Sequence, residues 1–249
     1  MTSNPTDAPP ARWLRQLALG LALLLPLSAS AAEVLVFGGT GQLGAEVARA
    51  LHRAGHTVTV FHREGSGLER LQGVPVKFVT GDATREADVR AAFTARRYEV
   101  AVNALGKRSA DPAAFYETTQ RAITAGAKAG GVRQVILHSS VGAGESRAIY
   151  PEARWPQMAE VLTAKDVAER ELMASGVPYT IIRNAVLRND APGATERAEL
   201  STDQRRFGAV TRSGLGRLTA DCALKADCLG RIFHAVDPQV ALPAATRGH

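Results

Sequence analysis

The chain has few aromatic residues and no block of positive charge, and both absences narrow its function. Phe, Trp and Tyr make up 5% of the 249 residues, too few to indicate a surface on which nucleic-acid bases stack. The net charge of +6 is spread along the chain, which argues against nucleic-acid binding and is compatible with anionic small molecules such as phosphates. We therefore expect a small-molecule ligand and no nucleic-acid partner; the sequence does not indicate an oligomeric state.

Cysteine is equally scarce. The two cysteines, Cys222 and Cys228, stand six positions apart in a segment that we interpret as one helix. Six helical steps rotate the chain by roughly 600°, so the two side chains would point to different faces. The spacing predicts two small, half-buried side chains rather than a disulfide, and it fits no zinc motif. We predict no metal site.

Long apolar runs are missing, apart from a short one near the N-terminus. Arg12 and Arg15 precede the apolar run Leu17–Leu27, and the small residues Ala29–Ala31 follow it. This order is typical of a secretory signal, and the run is about half as long as a bilayer span. We predict a cleaved signal peptide over residues 1–31, a periplasmic or secreted mature domain over 32–249, and no stable membrane span after cleavage. The alternatives are a retained membrane anchor and a cytoplasmic protein with a mis-assigned start.

Glycine, by contrast, is concentrated where the first apolar strand ends. The run VLVF, Val34–Phe37, is typical of a strand buried on both faces, and helical spacing follows it up to Gly55. Between the two stand Gly38, Gly41 and Gly44, and a second strand-like run, HTVTVF, comes after the helix. Strand, glycine turn, helix and strand predict a dinucleotide-binding βαβ unit. In such a unit the glycines permit a tight turn, close approach of amides to a pyrophosphate, and close packing of helix on strand.

The end of the second predicted strand indicates which dinucleotide is bound. An acidic residue there would bind a ribose 2′-hydroxyl, whereas the chain reads FHRE, with Arg63 about twenty residues after the glycines. A guanidinium pairs a phosphate bidentately. We predict that NADP(H) is preferred, with NAD(H) as the alternative; in that alternative Arg63 is a solvated loop residue.

Strand-like and helix-like segments continue to alternate along the chain. The later predicted strands are Val76–Asp82, Glu99–Gly106, Arg133–Ser140 and Pro178–Val186, and the clearest helices are Pro112–Ala129 and Trp155–Ser175. The alternation predicts an α/β fold, a single Rossmann-type domain with a doubly wound parallel sheet, in which ligands bind at the carboxyl ends of the strands. Residues from about 184 to 249 would form the substrate side.

These segments resemble a known family. The run GGTGQLG, the pair Gly81–Asp82, the run SSVGAGESR from Ser139 and the run ASGVPYTIIR from Ala174 are similar to the atypical short-chain dehydrogenase/reductases. The resemblance is greatest to the NmrA-like NAD(P)H-binding branch, which includes biliverdin/flavin reductases, and it extends from about residue 34 to residue 238. It implies an NAD(P)H-dependent oxidoreductase and leaves the substrate open.

The resemblance also implies roles for individual residues. The cofactor contacts would be the pyrophosphate loop Gly38, Thr40, Gly41, Gln42, Leu43 and Gly44; the 2′-phosphate contact Arg63; the adenine contacts Asp82 and Ala83; and the ribose wall Asn103, Ala104, Leu105 and Gly106. Ser140 would face the substrate carbonyl and Lys165 would bind the nicotinamide ribose, and these two are the predicted catalytic residues. The plainer alternatives are a strand-end cap for Ser140 and a solvent-facing lysine for Lys165, in a chain with five lysines against 25 arginines.

One departure from the family concerns proton transfer. The better-known relatives carry Tyr-x-x-x-Lys, in which the tyrosine donates a proton and the lysine lowers its pKa, but here Val161 stands four residues before Lys165. Tyr150 lies fifteen residues upstream of Lys165, outside the helical register. A planar acceptor such as a flavin, quinone or tetrapyrrole, which takes its proton from water, fits this pattern. The alternatives are a non-catalytic NADP(H)-binding redox sensor or assembly factor and, less favoured, an epimerase.

The sequence also allows predictions for two further residues and one further segment. His138 lies on an apolar strand and is interpreted as a core residue rather than a base. Asn184 replaces the proline that relatives show after the arginine of IIR, so the loop after this strand is expected to differ in shape. The charged, alanine-rich region Asn189–Phe207 is predicted to be a mobile flap.

Overall fold

Parallel strands and helices alternate through the chain. The computed structural model describes Met1 and residues 31–112, 114–189 and 197–242, so the predicted signal peptide lies, apart from Met1, outside the described residues. The described residues from Ala31 onward belong to one compact unit. Its helices are α1 Gln42–Arg53, α2 Glu86–Ala95, α3 Phe115–Ala129, α4 Trp155–Ala174 and α5 Arg212–Cys222. Within these described ranges, no helix combines the length and the apolarity that a membrane crossing requires.

Eight strands form the central sheet. In chain order the strands are β1 Glu33–Phe37, β2 Thr57–His62, β3 Lys77–Thr80, β4 Val100–Asn103, β5 Gln134–Ser140, β6 Tyr179–Asn184, β7 Val186–Arg188, β8 Glu199–Ser201, β9 Ala209–Thr211 and β10 Arg231–Val236. The sheet runs in the order β3-β2-β1-β4-β5-β6-β10-β8, while β7 and β9 pair separately. All its neighbours are parallel except β8, which pairs antiparallel with β10. The strand order reverses between β1 and β4, which is where such sheets bind ligands.

Alternate side chains of the strands pack into two separate cores. Val34 and Val36 of β1 face one core, which also contains Leu51 of α1 and Leu215 of α5. Leu35 and Phe37 face the other core, together with side chains from α2, α3 and α4. Burial on both faces explains why the strands are continuous apolar runs. This arrangement confirms the predicted Rossmann-type, doubly wound fold.

Several predicted strands are shorter than expected. The third ends at Thr80 rather than Asp82, and the fourth ends at Asn103 rather than Gly106. In both cases the residues beyond the strand form a loop at the carboxyl edge of the sheet. The polar and glycine residues that follow these two strands therefore lie in loops at the cleft and are not part of the sheet.

The prediction that the two cysteines are unpaired is wrong. Helix α5 ends at Cys222, and Leu224 turns the chain with a φ of 57°. Cys228 then follows in a short 3₁₀ helix, with its Cα 5.6 Å from that of Cys222, and the two form a disulfide. The rotation argument fails because the helix ends at the first cysteine. The bridge lies beside two central strands, since Gln134 donates to the Cys222 carbonyl and Thr180 to that of Cys228.

The prediction of a mobile flap is wrong for part of its range. Residues 190–196 lie outside the described residues. Further along, Glu199–Ser201 forms β8 and pairs with β10, with Leu200 opposite Ala235. This part of the segment therefore closes one edge of the sheet.

Candidate active site

A large cleft lies along the carboxyl edge of the sheet. Its volume is about 890 Å³, and its walls come from the ends of β1 to β6 and from the adjoining loops and helices. Of the predicted site residues, Gly38, Thr40, Gly41, Gln42, Leu43, Arg63, Asp82, Ala83, Ala104, Leu105, Gly106, Ser140 and Lys165 line it. Asn103 and Gly44 do not line it and act from behind the surface. The structure thus brings residues from distant parts of the sequence to one cleft.

At two positions of the glycine loop, a side chain would clash with neighbouring backbone atoms. Gly38 has a φ of 79°, and a Cβ there would lie 2.6 Å from the Ala104 carbonyl oxygen. A Cβ on Gly44 would lie 2.1 Å from the Gly38 carbonyl oxygen. Gly41 is different, because its Cβ would meet only that same oxygen, at 3.2 Å. Gly38 and Gly44 therefore allow the turn to pack closely, Gly38 on the residue after β4 and Gly44 within the turn itself. The turn has more space at Gly41.

The start of α1 presents unpaired amides to the cleft. The Gly41 amide donates to the Gly38 carbonyl at 2.9 Å, and the Ala45 amide donates to Gly41. Within the described ranges, the amides of Gln42 and Leu43 between them have no hydrogen-bond partner. The first turn of α1 carries no acidic residue, so the positive end of the helix dipole is not neutralised. Free amides on an open glycine turn fit the pyrophosphate of a dinucleotide.

Arginines surround the adenosine end of the cleft. Arg63 Nη1 donates to Asp111 Oδ1 at 3.0 Å, and Arg108 also donates to the Asp111 carboxylate, from its main chain at 2.8 Å. Burial would raise the pKa of Asp111, but the hydrogen bonds from Arg108 and Arg63 outweigh it and hold the pKa at about 2. Arg70 lines the same end and has no carboxylate partner in the parts of the chain that are described. The three guanidinium groups fit an anion such as a 2′-phosphate.

Asp82 is a turn-forming residue at the adenine side. Its Oδ1 accepts hydrogen bonds from the Thr84 amide at 2.9 Å and from the Thr84 hydroxyl at 2.8 Å. Burial would raise the pKa of Asp82, but these bonds and the nearby charge of Arg63 lower it overall. Ala83 is buried beside it and lines the cleft. The pair forms a rigid wall on which a planar ring can rest.

The loop after β4 forms the opposite wall. Asn103 is buried, donates to Gln120 Oε1 at 2.8 Å and accepts from the Leu105 amide at 3.1 Å. Through this bond Asn103 fixes the loop Ala104–Gly106, which lines the cleft. Asn103 thus shapes the predicted ribose wall from behind.

Lys165 and Ser140 both line the cleft where β5 ends. Lys165 Nζ donates to the His138 carbonyl at 3.3 Å and lies 4.6 Å from the centre of the Tyr116 ring. Burial lowers the pKa of Lys165 to about 8, although Glu169 opposes the shift. Ser140 lies at the end of β5 and lines the same space. The cleft lining thus includes a lysine and a hydroxyl, which are the two predicted catalytic residues.

His138 is a core residue, as expected. It is 4% exposed, and burial, with a smaller contribution from the positive Lys165, lowers its pKa to about 3. Thr219 donates to the Leu215 carbonyl and therefore accepts from His138 Nε2 at 3.1 Å. His138 Nδ1 and the Ser139 hydroxyl are buried and have no partner within the described ranges. His138 is thus neutral and a weak base.

The wall beside Lys165 is apolar. Met158 and Val161 of α4 line it, along with Leu187 of β7. Tyr150 does not line the cleft and packs instead against Trp155 and Phe207, with ring centres 6.3 Å away in each case. Tyr150 therefore does not take the place of the tyrosine that is missing from the Tyr-x-x-x-Lys pattern.

Asn184 joins the ends of two strands under the cleft. Its side chain donates to the Ser139 carbonyl at 2.9 Å, and its own carbonyl accepts from the Val141 amide at 3.0 Å. A proline at this position would lack the first of these bonds. Asn184, the residue that departs from the family pattern, thus links the end of β6 to the end of β5.

Sequence reasoning missed several cleft residues. Tyr116, Arg70, Arg108 and Arg212 all line it. Arg70 and Arg108 lie in connections between successive elements, and Tyr116 and Arg212 stand at helix starts. The basic character of the three arginines is a signal that could have suggested them, whereas Tyr116 carries no such signal.

Comparison with known proteins places the chain in a family. A sequence profile of the NAD(P)H-binding family matches residues 38–226. The chain belongs to this family. The match includes both the glycine loop and Lys165, and the predicted resemblance to NmrA-like, atypical short-chain dehydrogenase/reductases is confirmed. No curated protein matches the sequence significantly.

Solved structures share the fold of this NAD(P)H-binding protein. ChuY, an anaerobilin reductase from Escherichia coli O157:H7, has a TM-score of 0.74 at 22% identity, over 85% of this chain and 100% of ChuY. A short-chain dehydrogenase/reductase from Veillonella parvula DSM 2008, in complex with NADP, has a TM-score of 0.67 at 19% identity, over 86% and 99% of the two chains. At these identities the likeness shows the fold.

Proposed function

We propose that the protein is an NADPH-dependent reductase that transfers a hydride to a planar, partly apolar acceptor. One observation supports the proposal: a single cleft is lined both by the glycine loop and by Lys165 and Ser140. An apolar wall of Met158 and Val161 belongs to the same cleft. ChuY is an anaerobilin reductase, and this supports a reductase function for a chain with the same fold.

The preference for NADPH is supported by charge at the adenosine end. Arg63, Arg70 and Arg108 line that end, and no acidic residue occupies the position after β2 at which a ribose 2′-hydroxyl would be bound. Asp111 is the carboxylate that already pairs with two of these arginines. The Veillonella relative was solved with NADP, which agrees with the proposed preference.

The chain's own groups would position the reactants. A bound nicotinamide supplies the hydride. Lys165, held by the His138 carbonyl and the Tyr116 ring, would donate hydrogen bonds to the nicotinamide ribose, and Ser140 would hold an acceptor oxygen. Val161 has no proton to transfer, so the proton that completes the reduction would come from water.

Nucleotide binding and turnover test this proposal separately. We expect calorimetry to detect NADPH binding, and we expect NADPH to be oxidised with at least one acceptor among flavins, quinones and tetrapyrroles. Lys165→Ala should weaken binding and turnover, whereas Lys128→Ala, at an exposed lysine of α3 outside the cleft, should change neither. If NADPH binds but no acceptor consumes it, the reductase proposal fails.

We also propose that the mature protein is exported. The predicted signal sequence suggests this, and the disulfide between Cys222 and Cys228 supports it, because disulfides persist in oxidising compartments. N-terminal sequencing of the protein from fractionated cells tests the proposal. We expect a start near Ala32 in the periplasmic or secreted fraction, and an intact Met1 in the cytosol would contradict it.

A further inference from the structure

A side cavity adjoins the main cleft between the start of α1 and the end of β7. Its volume is about 390 Å³, and its lining consists of Gln42, Leu187, Arg188, Asn189 and Arg212. Gln42, Leu187 and Arg212 also line the main cleft, so the two spaces adjoin. Arg188 lines the side cavity and not the main cleft. A ligand in the cleft could therefore extend a substituent into this cavity.

The pairing of two short strands brings the two arginines together. Arg188 ends β7, and the parallel register with β9 places it opposite Thr211. Arg212 follows Thr211 as the first residue of α5. Helix α5 is itself held close to α1, because a Cβ on Gly216 would lie 2.7 Å from the Glu46 carbonyl oxygen. The positions of both arginines are thus set by the backbone.

Neither arginine is neutralised by the rest of the described chain. Arg212 Nη1 donates to Asn189 Oδ1 at 2.8 Å, which orients the guanidinium and uses one of its five N–H donors. Across residues 31–112, 114–189 and 197–242, no carboxylate lies within ion-pair distance of Arg188 or Arg212. Two guanidinium groups that line one cavity and have no carboxylate partner among the described residues suit a carboxylate or phosphate, which each can bind bidentately.

The neighbouring surfaces limit what such an anion can belong to. Leu187 lines the side cavity and also the main cleft, to whose lining Met158 and Val161 contribute. A ligand that fills both spaces needs an apolar body and one anionic substituent. We propose that Arg188 and Arg212 bind a phosphate or carboxylate side chain of the acceptor, so that the enzyme selects planar acceptors that carry an anionic arm. This inference rests on the proposed reductase function for the identity of its ligand as an acceptor.

Two matched pairs of probes test the inference by equilibrium binding. FMN and riboflavin differ by a phosphate, and biliverdin and its dimethyl ester differ by two carboxylates. Binding to the full mature protein is measured by fluorescence quenching or calorimetry, with and without NADP⁺. We expect the charged member of at least one pair to bind about tenfold more tightly than the neutral one, since hydrogen bonds to charged groups are among the stronger ones. The pair that shows the difference distinguishes phosphate from carboxylate.

Substitutions assign that difference to the two arginines. Arg188→Ala and Arg212→Ala should each bring the charged-to-neutral affinity ratio toward one, and Arg188→Lys should preserve part of it. Arg53→Ala, at an exposed arginine in the last turn of α1, also removes one charge and should leave the ratio unchanged. Circular dichroism and thermal unfolding of each variant, with Arg188→Lys as the second variant at its site, separate loss of binding from loss of fold.

The outcomes separate this inference from the proposed function. If no acceptor consumes NADPH but a charged probe still binds more tightly through Arg188, the reductase proposal fails and the anion site stands. If turnover occurs but both members of each pair bind equally, or neither charged probe shows saturable binding, the anion site fails. A loss of NADP⁺ affinity in Arg188→Ala that matches the loss of FMN affinity would assign the arginine to the cofactor and overturn the inference.

Discussion

At the proposed phosphate end of the cleft, the groups available to a cofactor are main-chain amides of the glycine loop, whereas at the proposed acceptor end they are side chains of separate elements. The first group is contiguous in sequence and is shaped by close backbone contacts at Gly38 and Gly44. The second includes Tyr116 of α3, Ser140 of β5 and Lys165 of α4. Ligand binding at the phosphate end should therefore depend on the backbone conformation of the loop. Binding at the acceptor end should depend on side-chain chemistry, which can vary without changing the fold.

The largest effect should come from filling the space at Gly44. A methyl group in Gly44→Ala would lie 2.1 Å from the Gly38 carbonyl, and the turn cannot move away because Gly38 is itself packed on Ala104. We expect a loss of about 2–3 kcal/mol in unfolding free energy and no measurable NADPH binding, tested by denaturant unfolding and calorimetry. Gly41→Ala is the matched variant: its φ of −77° suits alanine, so the fold should persist while binding weakens. Wild-type NADPH affinity in Gly44→Ala would contradict the comparison.

A large effect on rate, without loss of fold, is expected at Lys165. Because burial lowers its pKa to about 8, the ammonium form predominates below that pH and is lost above it. The rate of NADPH oxidation should therefore fall as the pH rises through about 8. Lys165→Met should slow turnover by about 100-fold, within the range for groups that act on proton transfer or orientation. Lys165→Arg should move the fall to higher pH, and coincident pH profiles of this variant and the wild type would show that Lys165 does not set the profile.

A smaller effect is expected at Arg63, where side-chain chemistry enters the phosphate end. Arg63→Glu should lower NADPH affinity and leave NADH affinity nearly unchanged, shifting the ratio by about tenfold, because a charge-assisted contact becomes a repulsion. The dissociation constants of both nucleotides are measured by calorimetry. Arg133→Glu reverses the charge of an arginine outside the cleft and serves as the control. An unchanged ratio in Arg63→Glu would refute the proposed phosphate contact.

The smallest effect on the cleft should follow removal of the disulfide. The paired substitution Cys222→Ala with Cys228→Ala opens a short loop behind α5, and chain entropy suggests a cost of about 2 kcal/mol in unfolding free energy. The bridge lies near the opposite ends of β5 and β6 from the cleft, at Gln134 and Thr180. NADPH affinity should therefore stay within about twofold of the wild type. A larger loss would show that α5 transmits strain to the site.

The sequence predicts the phosphate end better than the acceptor end for a physical reason. Strand, glycine turn and helix are local, so the spacing of Gly38, Gly41 and Gly44 predicts their geometry. Arg70 lies in a short 3₁₀ helix and Arg108 in a loop, and their presence in the same cleft as Arg63 depends on the paths of the two connections that carry them. Tyr116 and Arg212 stand at helix starts whose positions depend on how α3 and α5 pack.

The error at the cysteines has a similar cause. The prediction assumes that the helix continues past Cys222, but it ends there and Leu224 adopts a positive φ. A non-glycine residue in this conformation gives no local signal. Pairing with Cys228 is therefore a consequence of one turn that the sequence pattern does not reveal.

With the proposed phosphate contact at Arg63, the pairing of this residue with Asp111 would make nucleotide selection a competition between anions. A dinucleotide without a 2′-phosphate would leave this pair in place, whereas one that carries the phosphate would have to share or replace the carboxylate on the same guanidinium. The gain from the phosphate is then the difference between two similar attractions. Discrimination between the two nucleotides should accordingly be modest, and its size would depend on how readily the loop that carries Asp111 moves aside.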